Sequence, residues 1–182
     1  MTRIYLVRHG RAAASWSDDL DPGLDALGLS QAETAAETLM AYAPLEAVSS
    51  PLKRALETSL PFTRKFQTEA RVEPRVAEIP SPGLDLESRG PWLSKVMQDN
   101  WSNVSAELQS WRAALIECVC GLQKDTVVCS HFIAINVAVG SAIDDDRVVH
   151  FRPDNGSISI LETDGDSLTL IATGTAAQTH VG

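Results

Sequence analysis

Apolar positions fall along the chain in short unbroken runs that alternate with longer stretches of helical spacing. Residues 4–7, Ile-Tyr-Leu-Val, form the first run and are closed by Arg8-His9-Gly10. Such a run predicts a buried strand, ended by a glycine with backbone freedom that other residues lack. Residues 24–43 carry Leu29, Ala32, Ala35, Ala36, Leu39 and Met40 at helical intervals, and Pro44 stops that helix. Residues 45–49 predict a second short strand. Ser50 as N-cap and Pro51 at the first helical position then start a helix, which places Arg54 in its first turn. Residues 71–77 predict a third, edge-like strand, and the Pro- and Gly-rich run through Pro91 an ordered loop, with Trp92 and Trp101 flanking the segment after it.

Helices are expected over 92–101 and 104–122, the second with an apolar stripe of Leu108, Trp111, Leu115, Ile116 and Val119. Residues 126–129, Thr-Val-Val-Cys, repeat the grammar of the first strand. Ser130-His131-Phe132 follows, and then an apolar helix through Val139. Residues 147–151 read as extended. Residues 157–161 and 168–172, joined through Asp164-Gly165-Asp166, predict a β-hairpin, with a frayed tail after Gly174. Residues 11–23 are small, polar and Pro/Gly-punctuated. They predict a loop over the first strand's end, with Trp16 packing it down.

Strands that alternate with helices imply a three-layer α/β/α sandwich around a mainly parallel sheet. The 182 residues suit a single domain over 1–182 with a hydrophobic core of its own. A net charge of −9 argues against a nucleic-acid surface or an anionic membrane as partner, while leaving room for a locally positive pocket. Cys118, Cys120 and Cys129 lack a disulfide-like spacing, and no His or Cys nearby completes a metal site with them. No signal-like opening and no membrane-spanning apolar run is seen, so a cytoplasmic location is expected.

Within that architecture His9, Arg54 and His131 all follow the carboxyl ends of strands, where open α/β sheets place their ligands. His131 also precedes a helix, whose free N–H groups favour an anion. Arg8 and Arg54, two imidazoles and a helix N-terminus on one rim describe a site for a tetrahedral oxyanion such as phosphate, which guanidinium groups match bidentately.

Four elements occur in order: Arg8-His9-Gly10, Leu24-x-x-Leu27-Gly28-x-x-Gln31-Ala32, Ser49-Ser50-Pro51-x-x-Arg54-Ala55-x-Glu57-Thr58, and Ser130-His131. Together they resemble the histidine phosphatase, or phosphoglycerate mutase-like, superfamily over residues 3 to about 160. The resemblance implies a phosphoglycerate mutase-like fold and a metal-independent phosphatase of the histidine acid type that needs no cofactor. His9 would be the nucleophile that becomes phosphohistidine, with Arg8, Arg54 and His131 binding the phosphoryl oxygens. It also implies a carboxylic acid that protonates the leaving alcohol. Glu78, on the loop after the third strand, is the first choice, with Asp85 and Glu87 as fallback donors.

Departures from the pattern bear on the substrate. Arg11 and Ala12 replace a frequent acidic residue and threonine, and Ser15 stands where many members carry a phosphate-contacting asparagine. Phe132 follows the second histidine where glycine is common. Its backbone N–H is still on offer, and its ring is expected to narrow the pocket or meet the substrate. His150 and His180 match no motif and read as structural or exposed. The expected ligand is a small phosphorylated substrate or a phosphoprotein. A phosphoglycerate mutase, a phosphohistidine phosphatase and a non-catalytic phospho-ligand module are the alternatives.

Overall fold

The computed structural model describes residues 1–15 and 18–177. Its centre is a six-stranded sheet of β1 (Thr2–Arg8), β2 (Glu46–Ser49), β3 (Ala70–Val72), β4 (Thr126–Ser130), β5 (Ile158–Thr163) and β6 (Leu168–Ala172). The spatial order is β3-β2-β4-β1-β5-β6. The first four are mutually parallel, and the β5–β6 hairpin joins β1 antiparallel.

Both faces of the sheet are covered, which is why its central strands read as unbroken apolar runs. Alternate residues of one strand go to different layers. Tyr5 and Val7 pack with Ala47, Val127 and Cys129 beneath α1 (Ala26–Leu39) and α2 (Lys53–Phe66), through Ala35, Ala36, Leu39, Ala55 and Phe62. Ile4 and Leu6 join Val48 and Val128 on the other face. There they meet α3 (Leu86–Val96), α4 (Ala106–Cys120) and α5 (Phe132–Ile143), through Leu93, Val96, Leu115, Val119, Ile133 and Val137. The three cysteines are buried and reduced within these layers.

Several boundaries differ from the sequence reading, each for a physical reason. Asp25 caps α1 by accepting from the Gly28 N–H, so the helix starts at Ala26, and a 3₁₀ turn over Met40–Tyr42 intervenes before Pro44. α2 begins at Lys53 without a side-chain cap, because the Ser50 hydroxyl accepts from Leu52 N in the preceding turn. The run through Pro91, expected to be a loop, is helical from Leu86. Asp85 caps it at the Ser88 N–H, and burial of Leu93 and Val96 offsets the hydrogen bond that Pro91 cannot donate. Trp101 therefore falls outside that helix, in a 3₁₀ turn over Trp101–Asn103. Residues 147–151 make only one isolated bridge, Arg147 to Asn100. The tail is paired further than expected: Asp154 N donates to Thr175 O at 2.8 Å and Ala177 N to Arg152 O at 2.7 Å. Trp16 and His180 lie outside the described residues. No helix among the described residues is long and apolar enough to cross a membrane.

Candidate active site

Arg8 ends β1, and the two residues after it are held by partners from distant parts of the chain. His9 N donates to Ser130 O at 3.0 Å, and His9 O accepts from Asn155 Nδ2 at 3.0 Å. Gly10 N donates to Thr58 Oγ1 at 3.0 Å, and that hydroxyl donates to Arg54 O at 2.7 Å. A side chain at Gly10 would place its Cβ 2.2 Å from Gly28 O, so only glycine lets the loop seat against the start of α1. The backbone of this tripeptide is fixed before any ligand arrives.

The His9 ring is oriented by two bonds of opposite sense. Nδ1 donates to Gly10 O at 2.7 Å, and a carbonyl can only accept, so the ring proton sits on Nδ1. Nε2 is left as an acceptor, with Arg54 Nε donating to it at 3.2 Å. His9 is 3% exposed. Burial, and then Arg54 and Arg8, hold its pKa well below 6.5 despite the bond to Gly10. The imidazole is therefore neutral, with an unprotonated Nε2 that faces the Arg54 guanidinium.

Arg8 donates from one terminal nitrogen to Pro153 O at 2.8 Å, and its guanidinium lies 5.2 Å from the centroid of the Phe132 ring. The Phe132 ring is itself buried, so it reaches the site through Arg8, as a stacking surface. Burial pulls Arg8 down to about 10, which still leaves it charged at neutral pH. Arg54 is lowered by burial as well, and Asp21 stands 3.9 Å from one of its terminal nitrogens. Asp21 also accepts from Lys53 N at 2.8 Å, which ties the loop before α1 to the start of α2.

His131 is the N-cap residue of α5 and is fully buried, its ring centroid 5.2 Å from that of His9. Its Nε2 lies 2.7 Å from Ser50 Oγ. Burial, Arg54, His9 and Arg8 depress its pKa well below 6.5. Glu78 sits beneath the same helix start and accepts from Ile79 N at 2.9 Å, Ile133 N at 3.1 Å and Ala134 N at 3.2 Å. Burial nevertheless raises its pKa, outweighing those N–H groups and Arg54. Desolvation thus favours a carboxyl group that still carries its proton. Asp85 and Glu87 are exposed instead, and Asp85 is occupied as the α3 cap, its pKa lowered by the Ser88 N–H.

The cleft beside His9 has a volume of about 320 Å³ and is lined by Arg8, Arg11, Ser15 and Asn155 with the small residues 12–14. Ser15 donates to Asp18 Oδ2 at 2.5 Å on its rim. A neighbouring pocket is lined by Arg54 and by Arg89 of α3. The segment 150–155 that supplies Pro153 and Asn155 has no regular structure and is tied down by Asn136 of α5. That amide accepts from His150 N (2.8 Å) and Phe151 N (3.2 Å) and donates to Phe132 O (3.0 Å) and Phe151 O (3.1 Å). His150 has its side chain buried against Gly140, which fits a structural role. Among the described residues no group of three or more His, Cys, Asp or Glu could hold a metal ion.

The structure thus brings together Arg8, His9, Arg54, Glu78, His131 and Phe132, places Ser15 at the cleft, and leaves Asp85 and Glu87 outside. A model of the histidine phosphatase superfamily (branch 1) matches residues 4–175. The chain belongs to that family. A glucosyl-3-phosphoglycerate phosphatase from Mycolicibacterium vanbaalenii is 35% identical over 80 residues, a stretch that covers 42% of this chain and 36% of that relative. Among solved structures, a mycobacterial glucosyl-3-phosphoglycerate phosphatase in complex with VO3 superposes with a TM-score of 0.76 at 21% identity, covering 97% of this chain and 100% of that one. A phosphoserine phosphatase from Entamoeba histolytica in complex with 3-phosphoglyceric acid gives 0.73 at 20% identity, covering 98% of both. At such identities the superpositions establish the shared fold. Thr58, Asn155, Pro153 and Ser50 are site residues that the sequence reading did not single out. Of these, Thr58 and Ser50 lay inside a quoted motif, which was the one signal at hand.

Proposed function

We propose that this chain is a metal-independent phosphatase that hydrolyses a phosphomonoester through phosphohistidine on His9, as one catalytic domain. The observation that carries the reading is the state of His9: a neutral ring, its Nδ1 proton given to Gly10 O and its Nε2 beside Arg54. Nε2 attacks phosphorus in line, and the P–O bond to the alcohol breaks. Glu78 supplies the proton that the leaving oxygen takes. Arg8, Arg54 and His131 hold the three equatorial oxygens, whose charge they stabilise most in the transition state. Water then attacks the phosphohistidine, Glu78 as carboxylate removes its proton, and the P–N electron pair returns to Nε2.

The two guanidinium groups supply the positive charge that a metal ion provides in other phosphoryl-transfer sites. Ser15 and Arg11 at the cleft, with Phe132 acting through Arg8, contact the substrate side. The relatives' names make small phosphorylated acids related to glycerate the first class to test, with phosphoproteins as the second. A cytoplasmic location goes with such substrates. The finer assignment, a histidine acid-type phosphatase, is decided by whether the pH optimum lies on the acid side. The experiment is hydrolysis of a panel of phosphorylated metabolites and phosphoproteins by the purified protein, with and without a chelator. Phosphate release unaffected by the chelator and inhibited by vanadate is expected. Activity lost on chelation and restored by a divalent ion would overturn the mechanism.

A further inference from the structure

Ser50 lies at the end of β2, fully buried, with its backbone fixed on both sides. Its N–H donates to Cys129 O at 3.0 Å, and its carbonyl accepts from Ser49 Oγ at 2.9 Å. The hydroxyl is therefore delivered from a rigid position, and among the described residues it has two partners: Leu52 N at 3.2 Å and His131 Nε2 at 2.7 Å.

A hydroxyl has one proton to give. The Leu52 N–H donates to the oxygen and uses none of it. If His131 carried its proton on Nε2, that N–H would also donate to Ser50. The proton of the fully buried Ser50 hydroxyl would then have no acceptor among the described residues, a costly arrangement. If Ser50 donates to Nε2 instead, every group at the hydroxyl is satisfied, and the ring proton of neutral His131 must sit on Nδ1. That nitrogen is buried and has no hydrogen-bond partner among the described residues. Protonating both nitrogens is opposed by burial and by Arg54 and Arg8.

We infer that Ser50 is a positioning residue that fixes His131 in its Nδ1–H tautomer, so that His131 meets the phosphoryl group as a neutral hydrogen-bond donor through Nδ1. The inference rests on the phosphatase reading for its catalytic meaning, while the tautomer itself does not. His9 and His131 then share one tautomer for opposite purposes: His9 keeps its unprotonated Nε2, beside Arg54, for attack, and His131 spends its own on Ser50 and keeps a donor.

The test is long-range ¹H–¹⁵N NMR of the imidazoles in the ¹⁵N-labelled wild-type protein at neutral pH, free and with inorganic phosphate. His131 should show an unprotonated Nε2 and a protonated Nδ1 in both samples. A protonated Nε2 would overturn the inference, and this readout needs no variant to fold and no substrate to be known. In Ser50→Ala the Nδ1–H signature should be lost or mixed. kcat should drop roughly tenfold, about the worth of one hydrogen bond, with KM little changed. Ser50→Thr, which keeps the hydroxyl, should restore the tautomer. A Ser50→Ala protein with the wild-type tautomer and kcat would refute the positioning role. Failure of the wild-type protein to hydrolyse any phosphoester would refute the phosphatase reading and leave the tautomer result standing.

Discussion

Two units of the molecule share one plan and end differently. β1 and β4 are parallel neighbours, Arg8 paired with Ser130, and each is a buried apolar run followed by a histidine. After β1 the chain turns through a glycine, and the His9 ring folds back on its own next carbonyl. After β4 it enters a helix, and the His131 ring is held by a hydroxyl from the end of β2. Local grammar put an imidazole at each strand end; the two rings differ in which nitrogen is taken by a fixed protein partner. In the proposed mechanism the nucleophile is set apart by a bond to its own backbone, which leaves Nε2 unprotonated, while its twin is tied through Nε2 to the residue that follows β2.

The largest expected effect breaks that pair apart. His9→Ala should abolish turnover and leave no phosphohistidine in ³¹P NMR of alkaline-denatured enzyme, whereas near-normal turnover would remove the assignment. Glu78→Gln comes next. It should slow esters of poorly acidic alcohols by about 10²–10⁴-fold, much more than activated aryl phosphates. As the proposed proton donor it would act in its protonated form, so activity should fall as pH rises through its raised pKa, and that basic limb should move or vanish in the variant. The acid limb, below 6.5, belongs to His9 and should stay. Equal, small losses on both ester types would make Glu78 a bystander. His131→Ala should cost about 10²–10³-fold in kcat, in line with the loss of one transition-state donor, yet still yield phosphohistidine on His9.

Smaller effects sharpen the comparison. His9 and His131 both have folded pKa values below the unfolded 6.5, so the unfolded chain takes up protons first. Their contribution to stability is complete above about 6.5 and is lost as pH falls toward the folded values. Glu78 has the opposite sign: its contribution is complete below 4.5 and is lost as pH rises through its raised folded pKa. Urea midpoints should therefore fall on acidification below 6.5 more steeply in Glu78→Gln than in wild type, and less steeply in His131→Gln. An unchanged slope in His131→Gln would contradict the buried neutral ring. The least effect is expected of Asp21→Asn. This exposed carboxylate competes weakly for Arg54, so KM should drop by no more than about threefold, and only at low salt.

The fold was legible where burial on two sides wrote itself into composition. Residues 4–7 and 126–129 needed no tertiary information, and each strand's alternate residues sorted into the two layers. The first half of α3 was hidden because Gly90 and Pro91 punctuate it. What makes it helical is a cap at Asp85 and the burial of Leu93 and Val96 against residues far along the chain. In the site, Arg8, His9, Arg54 and His131 were readable as polar residues at strand ends, while Glu78 came from resemblance alone. Ser50 before Pro51 looked like a helix cap, and its hydroxyl instead meets a histidine 81 positions away. Asn155 reaches His9 across 146 positions, a contact that leaves no local trace.

Asn136 has a consequence for how the molecule opens. Its amide spends all four hydrogen-bonding valences, two of them on the N–H groups of His150 and Phe151, in a segment with no helix or strand of its own. Those two amides are bonded to a side chain rooted in the buried helix α5, so their exchange with deuterium requires these bonds to open. A coil bordering the cleft is thereby anchored to the core. In hydrogen-exchange mass spectrometry its peptides should label long after the exposed residues 18–21.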